Sequence, residues 1–376
     1  MIHTINITYE FKYSDSYNSL FNSLKILSHF KGFNFIPKNK SNRNSRYWES
    51  HLFNNIGISS IIFSRHKGGK FTNCFIEILI NCPKLINHGD ETGLAKITEY
   101  NLVAYKFKYF IDFINKISST DEMLPSNIDE WKTRRIDYAI DIYTDKVKYY
   151  LDIFNKGEIP RGFDKPYFSY DSFHIKSKSH NYNFYNKTIE LEQKHGITVS
   201  ENILRLEVQC KTNKLRDIRK EYGLTEKSIL KTYWNEQIAY NIIRTAIINT
   251  IGPFNFIKKS SLIETVKNTP NPNHSITLIN LINDNIYTLA DLQYLISQNR
   301  LSDDIVREYI ESILDRKLIL KNNSIITTYI NLLHTLTLRT AKYNLKKLNL
   351  SPIAIPDNAP FEELENPIVL LLYNLK

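Results

Sequence analysis

The sequence predicts an α+β protein: a central antiparallel or mixed sheet with flanking helices, followed by a helical C-terminal domain. Three observations lead there. Stretches of alternating apolar and polar residues recur up to about residue 211. Amphipathic runs with apolar residues three and four apart lie between them. Beyond Gly252-Pro253 only the helical pattern continues. The 376 residues allow two or three domains, and composition breaks divide them as 1–125, 126–253 and 254–376.

Taken in chain order, Ser59–Ser64 and Phe71–Asn81 read as strands around the turn Lys67-Gly68-Gly69-Lys70. Asn101–Ile117 has the spacing of an amphipathic helix, and the polar stretch Ser118–Asp129 ends it. Three strands follow: Thr133–Tyr143, Tyr182–Lys187 and Ile203–Lys211. Tyr167–Lys176 is a fourth candidate that pairs with the second through the polar turn Ser177–Asn181. Helices are expected at Asp145–Phe154 and Glu226–Asn249. In the last third they are expected at Ile276–Ile282, Leu289–Gln298, Asp303–Arg316, Ile325–Leu333 and Leu338–Leu348.

Composition removes several classes of function. The chain has 11 glycines; Gly68-Gly69-Lys70 lacks the spacing and the hydroxyl residue of a P-loop, and there is no G-x-G-x-x-G or G-x-S-x-G. That disfavours NTPase motors, dinucleotide enzymes and hydrolases with a nucleophile elbow. No apolar run approaches the roughly 18 residues of a membrane span. The first residues lack the basic start and apolar stretch of a signal peptide, and three scattered cysteines (Cys74, Cys82, Cys210) make no disulfide framework or zinc ribbon. The expectation is a cytoplasmic protein with no membrane partner. The 49 Lys+Arg against 39 Asp+Glu leave a net charge of +10, which suits a polyanion such as nucleic acid.

Side chains alternate across a strand, so residues two apart share a face. Arg135, Asp137 and Asp141 therefore oppose Ile136, Tyr138, Ile140 and Ile142, while Arg205, Glu207 and Gln209 oppose Leu204, Leu206 and Val208. Asn183, Tyr185 and Lys187 align on the remaining strand. Carboxylates on neighbouring strands can hold a divalent ion that polarises a phosphate, and a nearby phenol can attack phosphorus. Asp137 and Asp141 are about 13 Å apart on a straight strand and cannot share one ion, which favours Asp137 with Glu207. The same residues also fit cross-strand salt bridges on a solvated face, and spacing alone does not choose. Lys176, Lys178, Lys187, Lys211 and Lys214 read either as phosphate contacts or as a solvated rim.

The runs W-K-T-R-R-I-D-Y-A-I-D-I (Trp131–Ile142), S-K-S-H-N-Y-N-F-Y-N-K-T-I-E-L-E (Ser177–Glu192) and L-R-L-E-V-Q-C-K (Leu204–Lys211) resemble the replication proteins of the filamentous-phage gene II/gene X family. In that family an R-x-D strand, a Y-[DN]-K-x-x-E-L segment and an R-x-E strand follow one another in this order. Ile76–Ile86 is similar to its upstream N-P-x-x-L strand, with Cys82 inserted. Initiators of staphylococcal rolling-circle plasmids share the order.

The resemblance implies an HUH-like nicking domain that starts rolling-circle replication by cutting one strand of origin DNA and forming a 5′-phosphotyrosyl link. It implies Tyr185 as nucleophile with Tyr182 as the alternative, Lys187 beside it, and Asp137 and Glu207, with Asp141 as a further acid, for Mg²⁺ or Mn²⁺. Arg135, Arg205, Lys176, Lys178 and Lys211 would meet DNA. The family's His-hydrophobic-His pair has no counterpart. Leu332–Leu350 resembles a helix-turn-helix whose second helix carries Lys342 and Lys346. Implied partners are single- and double-stranded origin DNA, and a host helicase or polymerase. A non-cutting origin-binding initiator and a relaxase-like nuclease for element transfer are the alternatives.

Overall fold

The computed structural model describes residues 1–309 apart from 38–44, 69–70, 119–121, 145–146, 157–158, 165–166, 170, 225–228, 252–255, 285, 287–291, 293–294, 297, 303 and 307, together with 353–355. It divides into two compact units. The first comprises Met1–Lys148 with Arg161–Ala246, the second Tyr149–Pro160 with Ile247–Lys376.

The first unit is built on one ten-stranded sheet. Its strands are β1 (Ile2–Phe11), β2 (Ile36–Pro37), β3 (Ser45–Ser50), β4 (Ile58–Gly68), β5 (Phe71–Asn81), β6 (Lys132–Tyr143), β7 (Tyr167–Ser169), β8 (Ser172–Lys176), β9 (His180–Asn186) and β10 (Ile203–Lys211). They lie in the order β2-β3-β4-β5-β1-β6-β10-β9-β8-β7, every neighbouring pair antiparallel. The β4–β5 hairpin, β10 and the β8–β9 pairing lie where alternation put them. The expected boundary near 125 does not separate domains, because β1 sits between β5 and β6 and joins both halves of the sheet. The polar stretch after residue 117 is a connection that returns the chain to the sheet, and composition does not distinguish such a loop from a linker.

One face of the sheet is a core. Its helices include α1 (Ser14–Phe30), α2 (Cys82–Ile86) and α3 (Tyr100–Ile117), then, after α4 (Val147–Lys156) and α5 (Lys187–His195), α6 (Thr212–Glu221), α7 (Leu230–Tyr233) and α8 (Glu236–Ile251). Tyr17 of α1 packs edge-on against Phe63 of β4 at 5.4 Å, and Phe107 of α3 against Trp131 at 5.5 Å. The Tyr138 hydroxyl donates to the Tyr233 carbonyl at 2.8 Å, which fixes α7 over β6 and satisfies a phenol that is otherwise fully buried. Glu226–Asn249 is not one helix. The chain breaks at Trp234-Asn235, where the indole donates to the Ile97 carbonyl at 2.9 Å and Asn235 restarts the helix by accepting from the Ile238 N–H.

The second unit holds most of α4, then α9 (Lys259–Val266), α10 (Pro272–Asn283) and a parallel pair of short strands, β11 (Phe256–Lys258) and β12 (Ile353–Ile355). α10 covers the expected Ile276–Ile282 helix; those expected at 325–333 and 338–348, with Lys342 and Lys346, lie outside the described residues. No helix among the described residues is long and apolar enough to cross a membrane.

Two positions test this packing. Gly57 has φ +92, and a Cβ there would stand 2.3 Å from the Leu85 nitrogen, a backbone atom that cannot swing away. Gly57→Ala should lower unfolding free energy by about 2–4 kcal/mol, read from the urea midpoint. His180 packs against Phe163 and Tyr182, with ring centroids at 4.9 and 5.2 Å. Burial, helped by the charges of Lys214 and Lys211, lowers its pKa from 6.5 to about 4. The native state then binds fewer protons than the unfolded chain between those values, so this stabilisation is complete above pH 6.5 and fades as pH falls to about 4. His180→Gln should lose less stability than the wild type between pH 7 and pH 4.5.

Candidate active site

A β-bulge shapes the site. In β1, Ile2 pairs with Tyr138 and Ile5 with Ile136, so two residues, His3 and Thr4, stand opposite the single residue Asp137 of β6. Ile2 and Ile5 both enter the core, and the two residues between them both line the cavity on the other face.

Strand register arranges the rest in ranks across β6, β10 and β9. Asp141, Arg205 and Tyr185 form one rank; Ala139, Glu207 and Asn183 the next; Asp137, Gln209 and Asn181 the third. Around the last two ranks opens a cavity of about 600 Å³, bordered also by Tyr185, Arg135 and, from α5, Glu190.

Glu207 is almost fully buried. Its carboxylate meets His3 Nδ1 at 2.8 Å and accepts from Gln209 Nε2 at 2.8 Å and Asn183 Nδ2 at 3.2 Å. Burial alone would raise its pKa, but His3 and the two amide donors outweigh it and hold the group well below the usual carboxylate range. Asp137 has the opposite balance. It is completely buried and paired with Arg135, whose Nε lies 2.6 Å away, yet burial dominates and pushes its carboxyl up to about 6. Neighbouring Glu207 adds to that rise. The two acids of matching Arg-x-acid units are thus one ready anion and one carboxyl that is costly to ionise.

Tyr185 borders this cavity from β9. Burial, with the charges of Glu207 and Glu190, holds its phenol well above the ordinary value, while Arg205 pulls the other way. Tyr182 lies elsewhere: three residues earlier, it points to the opposite face and stacks with Phe184 at 5.9 Å. Lys187 is not on the strand. β9 ends at Asn186, whose side chain accepts from the Ile189 N–H and caps α5, so Lys187 opens a helix and donates to Glu190 at 2.9 Å. The Asn of the Y-[DN]-K run is therefore a helix start.

Three further expectations change. Arg205 is fully buried and does not face DNA; it grips both oxygens of Asp141, at 2.6 and 2.7 Å, and donates to the Thr92 and Gly93 carbonyls. Asp141 is thereby engaged in an internal ion pair one rank from Glu207. Lys211 donates to the Ser177 carbonyl and Asn181 Oδ1, both at 2.7 Å, and ties down the β8–β9 turn. Lys176 borders the cavity and, like Lys178, is exposed.

Among the described residues no group of three or more His, Cys, Asp and Glu side chains is arranged to hold an ion. The cavity instead offers two carboxylates on adjacent strands, one destabilised by burial. That donor set fits Mg²⁺ or Mn²⁺, which bind one or two carboxylates and complete their shell with water and phosphate oxygens. His3, Asn183, Gln209 and Glu190 are the site residues that sequence reasoning missed. Asn183 and Gln209 were legible as face-mates of Tyr185 and Glu207, whereas His3 depends on the bulge.

No family model matches the chain, and no curated protein matches it in sequence. Among solved structures it is similar to a rolling circle replication initiator protein from Geobacillus stearothermophilus, with a TM-score of 0.33, 10% sequence identity, and coverage of 66% of this chain and 84% of that one.

Proposed function

We propose that this protein is a replication initiator that nicks one strand of origin DNA through Tyr185. The observation that carries the reading is the convergence of that phenol, two carboxylates and the partly exposed Arg135 in one open cavity, on strands that carry the three motifs in family order.

In the reaction the Tyr185 oxygen forms a bond to phosphorus and the bond from phosphorus to the upstream 3′ oxygen breaks. The phenol gives up its proton and the departing 3′ oxygen takes one. One ester replaces another, so no nucleotide cofactor is consumed. A divalent ion held by Asp137 and Glu207 would supply positive charge to the scissile phosphate and to the forming phenolate. The chain's own groups do the remainder. Arg205 is braced by Asp141 beside the phenol, and its buried Nη1 has no hydrogen-bond partner among the described residues, so it favours the charged form once the proton leaves. Arg135 keeps Asp137 in place with two of its five donors and has others for a phosphate oxygen. His3, Asn183 and Gln209 fix Glu207 so that it does not turn away from the cavity. Lys176 and Lys178 draw the DNA backbone to the rim, and the origin is presented as an unpaired strand. The second unit would help grip duplex DNA, and host helicase or polymerase would use the free 3′-hydroxyl.

The test is a labelled single strand from the gene's own replicon, incubated with Mn²⁺ and run on a denaturing gel. Wild-type protein should give a covalent adduct that EDTA abolishes. Tyr185→Phe should give none, and Tyr182→Phe should stay within about threefold of wild type, because its phenol is on the far face. Tight DNA binding without any adduct would instead leave a non-cutting initiator.

A second prediction concerns the acids. Asp137→Asn and Glu207→Gln should each slow adduct formation by about 10²–10³-fold, since each removes negative charge that would hold the divalent ion at the phosphate. Asp141→Asn should act differently, lowering the thermal midpoint because it leaves the Arg205 guanidinium buried without its counterion.

A further inference from the structure

A second cavity of the first unit, of about 670 Å³, lies away from the nicking chemistry. The C-terminal turn of α1, the loop before β4, α2 and α3 form its walls. Three phenylalanines border it: Phe33 and Phe113, each 43% exposed, and Phe53, whose ring meets Phe113 at 6.1 Å. Lys31, Lys84 and His51 supply its charged or chargeable groups, and no Asp or Glu is among the lining residues. Lys84 has one acidic neighbour outside the wall, Glu91 at 3.6 Å.

We propose that this cavity binds unpaired nucleotides of the strand being processed, a reading that rests on the nicking function above. Aromatic faces beside cations, without carboxylates, complement a ligand that has flat bases and a negative backbone. Duplex DNA keeps its base faces stacked and has no use for exposed phenylalanines; a single strand does. The volume suits one or two nucleotides. Position agrees with this. Thr4 borders the nicking cavity and pairs with Asn81, and Asn81 caps α2 by accepting from the Lys84 N–H at 3.1 Å. Asn81 thus ties the strand beside one cavity to the helix that walls the other.

The experiment measures binding of fluorescent single strands to the full chain, using a short oligonucleotide that covers only the nick and a longer one. Phe33→Ala and Phe113→Ala should each weaken binding of the long strand by about 5–100-fold and leave the short strand unchanged. Lys31→Gln should reduce the slope of log affinity against log salt by about 0.7. Phe113 and Lys31 are exposed, so these variants fold; circular dichroism checks it. Unchanged affinity and unchanged salt slope would overturn the proposal, and retention of a protein from lysate with no effect on DNA would overturn it in favour of a protein groove. The two readings fail separately. A wild type that makes no adduct, with variants that still lose long-strand affinity, removes the nicking reaction and keeps this site.

Discussion

One extra residue in the first strand organises the site. The bulge at His3-Thr4 lets Ile2 and Ile5 both serve the core while the two residues between them face the cavity. Without it, strict alternation would turn either the imidazole or the second isoleucine to the wrong side. His3 in turn meets Glu207, and that contact is among the largest influences keeping the buried carboxylate ionised. A charge so deep in a protein is tolerable only when donors surround it; here an imidazole and two amides do so. The same strand joins the two halves of the sheet, so the element that holds the fold together also completes the site.

The site shows two ways of keeping ions inside a protein. Arg205 and Asp141 are closed on each other, with two backbone carbonyls taking further donors; they form a brace. Arg135 and Asp137 form the second pair, but Arg135 keeps 29% of its side chain exposed and Asp137 resists ionisation. The brace lies in rank with Tyr185, whereas the second pair opens on the cavity. Closed ion pairs stiffen the wall, and the unsettled one is where an incoming cation or phosphate gains most.

Much of this was legible in the sequence. Ile203–Lys211 alternates cleanly, Phe71–Asn81 is rich in strand-forming residues, and the strands match both to the residue. The face shared by Asp137, Glu207 and Tyr185 followed from the same period. β1 was hidden because the bulge at His3-Thr4 breaks its alternation, and α6 because its polar run Thr212–Glu221 buries only Leu215 and Ile218. Arg205 was misjudged for a different reason. Spacing gives the face of a side chain but not how many neighbours close over it, and the two carbonyls that complete its burial, Thr92 and Gly93, are more than a hundred residues away in the chain. A period of two carries the strand on to Lys187, because it gives no warning of a cap at Asn186.

The outer strands of the sheet have a consequence for assembly. Among the described residues β2 has two, one of them proline, and β7 has three, so neither end of the ten-strand order shows a long row of unpaired amides there. Edges this short are poor templates for adding a strand from another chain. A large antiparallel sheet is in this way kept from growing into its neighbours at high concentration, and recognition is left to its broad surface and to the loops around it.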